Sequence, residues 1–123
     1  MKKHILVIDD TKILAKAIAE LLSLEGFAVS VAYDGAQGLA MFKEKNPDLI
    51  VTDLLMAGMD GFEVIQHIRS GTVRNTIPII IVTADTNVQN EVKATLAGAN
   101  LLLHKPFDEE HFIDSIKKLL ENG

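Results

Sequence analysis

Apolar residues collect along this chain in four short unbroken runs, His4 to Ile8, Leu49 to Thr52, Ile79 to Val82 and Leu101 to Leu103. Each is too short for an ordinary helix and is bounded by turn or helix-start residues, the pattern of a strand buried on both faces. A fifth segment, Phe27 to Ala32, alternates as an edge strand half open to water does. Between these runs the apolar positions recur with a helical period, predicting helices over Lys12 to Leu24, Ala36 to Lys45, Phe62 to Ser70, Asn87 to Ala97 and Glu109 to Leu120. In the first, Ile13, Leu14, Ala17, Ile18, Leu21 and Leu22 form the expected core face, while Lys12, Lys16 and Glu20 fall away from it. In the last, Phe112, Ile113, Ile116, Leu119 and Leu120 oppose Glu109, Glu110, Lys117 and Lys118. Gly26, Gly35, Gly61, Gly71 and Gly98 punctuate the junctions, with Gly98 where a left-handed helix cap is common. No repeat or linker interrupts the alternation. It therefore predicts an α/β fold of (βα)₅ type, a parallel five-stranded sheet covered on both faces and joined by right-handed crossovers.

Polar residues gather where the strand-like runs end. Asp9 and Asp10 follow the first run, Asp53 the second, Thr83 the third, and Lys105 lies just beyond the fourth. In an open parallel sheet the carboxyl ends of the strands share one edge, and ligands bind there. Three acids, a threonine and a lysine should therefore converge in one crevice. Carboxylates packed within a few ångströms repel one another unless one is protonated or a cation offsets them. An oxygen-only donor set suits Mg²⁺, with Mn²⁺ as a second possibility. The combination suggests a phosphoryl-accepting aspartate beside a divalent cation. Taken singly, each residue has a plainer reading: Asp10 or Thr11 as a helix cap, Asp53 as a turn acid, Thr83 as a strand residue, Lys105-Pro106 as a solvated turn. Asp60-Gly61 reads as a turn and helix entry only.

Composition narrows the picture. With 123 residues and 48% apolar character, the chain reads as one domain, 1–123, able to bury roughly two-thirds of its unfolded surface. A net charge of -5 argues against broad attraction to nucleic acid or anionic lipid. The basic residues are dispersed: Lys2 and Lys3 at the start, Lys43 and Lys45 at a helix end, and Lys117 and Lys118 in the last helix, where they are expected to complement its dipole. There is no cysteine, no secretory apolar segment and no membrane-length apolar run, so a cytoplasmic protein is the expectation. His4, His67, His104 and His111 have no metal-ligand spacing and read as surface or strand-end residues.

Five segments carry a family resemblance: Ile5-Leu-Val-Ile-Asp-Asp10, Pro47-Asp-Leu-Ile-Val-Thr-Asp-Leu-Leu-Met56, Met59-Asp-Gly61, Pro78-Ile-Ile-Ile-Val-Thr-Ala84, and Gly98-Ala99 through Lys105-Pro-Phe107. In this order and at these strand ends the chain resembles a receiver domain of two-component response regulators, from end to end. The resemblance implies a flavodoxin-like sheet of order 2-1-3-4-5, an order for which a chemotaxis receiver is a known illustration. It implies phosphoryl transfer to Asp53 from the phosphohistidine of a sensor histidine kinase or histidine phosphotransfer protein, and a change in binding to a downstream protein target. Asp10 and Asp53 would bind Mg²⁺ directly, Asp9 largely through water, and the backbone carbonyl of Leu55 would complete the protein ligands. Thr83 and Lys105 would contact phosphoryl oxygens, and the Lys105-Pro106 bond, commonly cis in the family, would turn the lysine inward.

The resemblance also marks Leu55, Ala84, Asp85, Leu102 and Pro106 as positions that tune rate or switching. Leu55 and Asp85 would flank the attacking water in dephosphorylation, and leucine cannot orient water. Leu102 stands where similar domains often carry Tyr or Phe, so output is expected to rely on the loop after Thr83 and the Asn87 to Ala97 helix. Self-phosphorylation and slow self-dephosphorylation are expected, not multiple-turnover hydrolysis, since no second general base is evident beside Asp53. Two rival classes share this topology. A nucleotide- or flavin-binding domain would need a glycine-rich phosphate loop after the first strand, which is missing. A pseudo-receiver, docking a partner without phosphorylation, remains the alternative.

Overall fold

The computed structural model describes residues 2–122; Met1 and Gly123, the ends of the expected 1–123 unit, lie outside the described residues. The strands are β1 (His4–Ile8), β2 (Ala28–Ala32), β3 (Leu49–Thr52), β4 (Ile79–Thr83) and β5 (Leu101–His104). The helices are α1 (Lys12–Leu24), α2 (Gly35–Lys45), α3 (Gly61–Ser70), α4 (Val88–Ala97) and α5 (Glu109–Asn122). All ladders are parallel, in the order β2-β1-β3-β4-β5. The parallel sheet is the one expected from the strand–helix alternation, and its flavodoxin-like order is the one the family resemblance implied.

Alternate side chains of each central strand serve opposite layers. Leu6, Ile8, Ile50, Ile79 and Ile81 pack with Phe42, Phe62, Val64, Ile65, Ile68 and Ala94 of α2, α3 and α4. Ile5, Val7, Leu49, Val51, Ile80 and Val82 pack with Ala15, Ile18, Leu22, Phe112, Ile113 and Ile116 of α1 and α5. Because both faces are covered, the central runs had to be continuously apolar, and β1, β3 and β4 are buried along nearly their whole length. Strand β2 is at an edge, as expected, yet its burial does not alternate: Ala28 to Ser30 and Val31 are all half-buried.

The buried face of α1 is rotated from the expected one. Ala15, Ile18 and Leu22 are buried, Leu14 and Leu21 flank them, and Ile13 is 85% exposed. At about 100° per residue, Ala17 and Ile13 lie roughly 100° and 140° from Ile18, beyond the arc the sheet can cover. Small Ala15 takes the close-packed place instead. Helix α5 runs two residues past Leu120, so Lys117 lies inside the helix, where it pairs with Glu25 at 3.5 Å and does not sit at the dipole terminus.

Helix ends follow local chemistry. Asp34, Asp60 and Asn87 cap α2, α3 and α4, each accepting a backbone N–H through its side chain. Asn46 and Gly98 close α2 and α4 in the left-handed conformation.

Candidate functional site

The carboxyl ends of β1, β3, β4 and β5 lie at one edge of the sheet, where β1, β3 and β5 bring three acids and a lysine into one crevice. From β1 come Asp9, nearly fully buried, and Asp10, exposed at the rim. From β3 comes Asp53, whose backbone N–H donates to the Ile8 carbonyl at 2.9 Å. Carboxylate oxygens of Asp9, Asp10 and Asp53 lie within 4.8 Å of one another. From β5 comes Lys105, whose Nζ lies 3.1 Å from Asp9 Oδ2 and 3.2 Å from Asp53 Oδ2. The Lys105-Pro106 peptide is cis, as the resemblance implied. The lysine, Asp9 and Asp53 side chains are 14%, 3% and 11% exposed, so these ion pairs are shielded from bulk water and weakly screened.

The remaining oxygens are held in fixed directions. Asp9 Oδ1 accepts the Thr11 N–H at 2.9 Å, and Asp53 Oδ1 accepts the Leu54 N–H at 2.7 Å. Asp10 Oδ2 accepts the Ala57 N–H at 3.3 Å, tying the β1 loop to the β3 loop. Of the two helix-cap candidates, Thr11 occupies the N-cap position of α1 but makes no side-chain cap bond, and its N–H goes to Asp9. Three carboxylates against one ammonium leave a formal excess of two negative charges in an all-oxygen donor set. That excess and that chemistry fit a hard divalent cation.

Strand β4 delivers Thr83, which is buried and belongs to the ladder, one residue further than the apolar run suggested. Its partner across the ladder is His104, and its carbonyl accepts the Lys105 N–H at 2.8 Å, so threonine and lysine are held in register. Thr83 Oγ1 accepts the Asp85 N–H at 3.1 Å, which leaves the hydroxyl proton free to donate. Ala84 and Leu55 are both exposed, Leu55 to 52%. Leu102 is half-buried and packs against the core layer of α2, α3 and α4.

Asp85 does not face the crevice as a free carboxylate. Its Oδ2 accepts from Asn90 Nδ2 at 2.7 Å and its Oδ1 from the Asn87 N–H at 3.1 Å. The Asn90 bond, then the Asn87 bond, and more weakly the nearby His104, hold its carboxyl below the ordinary carboxylate range against a small opposing effect of desolvation. It is therefore an anchor for the entry to α4.

Two supporting residues escaped the sequence reading. Buried Thr52 donates its hydroxyl to the Asp53 carbonyl at 2.9 Å. Gly61, read only as a turn residue, lies against the backbone of Asp53 and Leu54: a Cβ there would collide with the Asp53 carbonyl oxygen and come within 2.9 Å of Leu54 Cα. The Met59-Asp60-Gly61 segment carried that signal, but its meaning depends on a contact across the loop. His104, read as a strand-end residue, is one, and its ring also reaches the Asp85 carbonyl.

The response regulator receiver domain family matches residues 5–117. This chain belongs to that family. It is 35% identical over 120 residues to the response regulator MprA of Mycobacterium bovis strain BCG, covering 98% of this chain and 51% of that protein. The chain thus spans about half the length of the curated relatives it matches. Among solved structures, a putative response regulator from Chloroflexus aurantiacus is 27% identical with a TM-score of 0.93, over 98% of this chain and 99% of that one. The chemotaxis protein CheY4 of Vibrio cholerae is 26% identical with a TM-score of 0.90, over 97% and 99%. A phosphoryl-acceptor role fits this family, whose domains interact with histidine kinases and downstream targets. Among the described residues, no helix is long and apolar enough to cross a membrane.

Proposed function

We propose that Asp53 is the phosphoryl acceptor and that its partner donor is the phosphohistidine of a sensor histidine kinase or a histidine phosphotransfer protein. The carrying observation is the Lys105 ammonium bridging Asp9 and Asp53 inside the acid cluster. A carboxylate oxygen of Asp53 attacks phosphorus, the N–P bond of the phosphohistidine breaks, and the electron pair leaves with the imidazole, which takes a proton. The product is an acyl phosphate on Asp53. Lys105 offsets charge on the phosphoryl oxygens, and the Thr83 hydroxyl donates to one of them. Asp9, Asp10 and Asp53, with the Leu55 carbonyl, would hold Mg²⁺ or Mn²⁺, which would neutralise the clustered charge. The chain acts as one switching unit in the cytoplasm, reads no nucleic acid itself, and is catalytic only toward its own phosphorylation and slow dephosphorylation. Because Leu102 has no ring or hydroxyl to reorient, output runs mainly through Ala84, Asp85 and α4.

Incubation with a small acyl-phosphate donor, followed by intact-mass spectrometry, tests this reading. A phosphoryl gain is expected with Mg²⁺ or Mn²⁺ and should vanish with EDTA; an undiminished gain in EDTA would remove the metal from the proposal.

The lifetime of the acyl phosphate gives a second expectation. Leu55 is an exposed apolar side chain with no group to hold water, and the Asp85 carboxylate is engaged by Asn87 and Asn90, so neither orients an attacking water. Leu55→Asn should accelerate dephosphorylation by less than tenfold, under about 1.4 kcal/mol in barrier. Decay after donor removal that is equal or slower in the variant contradicts the role given to Leu55.

A further inference from the structure

Every polar group of Asp85 is used. Its N–H donates to Thr83 Oγ1, its two carboxylate oxygens accept from Asn87 and Asn90, and its carbonyl lies 3.1 Å from His104 Nδ1. A carbonyl can only accept, so in this contact Nδ1 carries the hydrogen. The other ring nitrogen, Nε2, then faces Glu91 Oε2 at 3.6 Å. Glu91 lies in the first turn of α4, and His104 is the ladder partner of Thr83. One imidazole therefore joins the end of β5, the loop after Thr83 and the first turn of α4.

The charged groups facing this ring are Glu91 from α4 and Asp85 from the loop. Lys105, next along its own segment, directs its ammonium to Asp9 and Asp53. A second proton on His104 must go to Nε2, turning a neutral contact with Glu91 into an ion pair.

We infer that His104, acting through Asp85, is a positioning residue for phosphoryl acceptance: when doubly protonated it holds the Thr83-to-Glu91 segment in the geometry seen here and opposes the shift of Thr83 toward a phosphoryl group on Asp53. This rests on the acceptor role proposed above for Asp53. Movement of Thr83 carries the Asp85 amide with it, and so draws the Asp85 carbonyl and the α4 entry away from a ring anchored on β5. The His104–Glu91 pair is half-exposed, so its bias on the two-state equilibrium is modest, about two- to fivefold. Acidification would thus weaken switching through a contact outside the acid crevice.

The test is the affinity for beryllofluoride with Mg²⁺, measured by calorimetry at about pH 5.5 and about pH 8. At the lower pH, Glu91→Gln is expected to bind about two- to fivefold more tightly than the native protein, and at the higher pH the two should converge. In a His104→Ala background, Glu91→Gln should have no further effect at either pH. An effect of Glu91→Gln that is absent, equal at both pH values, or retained without His104 overturns the positioning role while leaving the acceptor reading intact. Failure of the native protein to bind at either pH overturns the acceptor reading, and the positioning role with it.

Discussion

Asp53→Asn is expected to reduce the phosphoryl gain from an acyl-phosphate donor to background while leaving the protein folded. The amide keeps the shape of the carboxylate and can still accept the Leu54 N–H, but it cannot form an acyl phosphate. Folding should survive because the change removes one negative charge from a cluster in which three carboxylates face a single ammonium. Lys105 keeps Asp9 as a partner at 3.1 Å, so no uncompensated buried cation is left. Asp9→Asn and Asp10→Asn should behave differently, slowing the gain and raising the Mg²⁺ concentration it requires without abolishing it at saturation. Intact-mass spectrometry over a Mg²⁺ series, with thermal unfolding as the folding control, separates these cases. A full phosphoryl gain on a folded Asp53→Asn protein would mean another acid is the nucleophile.

Gly61→Ala is expected to cost about 2 kcal/mol, lowering Tm by roughly 5 to 10 °C, and to slow phosphorylation of Asp53. Helix propensity alone favours alanine over glycine by up to ~1 kcal/mol in a helix interior. Sterics should win here because the obstructing atoms are the Asp53 carbonyl oxygen and Leu54 Cα, which are backbone and cannot rotate away. The same backbone is pinned by the Thr52 hydroxyl, by the Asp53 N–H on Ile8, and by the Gly61 N–H on the Leu54 carbonyl at 2.8 Å. Displacing it moves Asp53 relative to Lys105. Gly58→Ala is the control: Gly58 has φ +75° and nothing within 4 Å of an added Cβ, so it should show only the left-handed backbone cost of ~1–2 kcal/mol. Calorimetry and a donor time course on both variants decide the matter. A Gly61→Ala protein as stable and as rapidly phosphorylated as the native one would refute the close-approach argument.

The sequence by itself determined the layer architecture and the convergence of three strand-end acids with a lysine. Strands buried on both faces must be apolar throughout, so β1, β3 and β4 stood out, and a parallel sheet carries the chemistry at their carboxyl ends. Asp9, Asp10, Asp53 and Lys105, which the fold brings together, were therefore legible in the sequence as strand-end residues, as was Thr83 at the end of β4. The tertiary structure alone decided matters that depend on which neighbour occupies a given direction in space. Periodicity gave α1 an apolar arc wider than the sheet could cover, and packing against β1 and α5 selected Ala15, Ile18 and Leu22 while leaving Ile13 in solvent. Gly61 read as a turn residue because the backbone it touches lies across a loop. Asp85 and His104 are separated by 19 positions in the chain and meet only because β4 and β5 pair in a register that sets Thr83 beside His104. Local pattern encodes burial and strand ends. Contacts between loops follow from register and from helix rotation, which the chain acquires only when its two core layers close on the sheet.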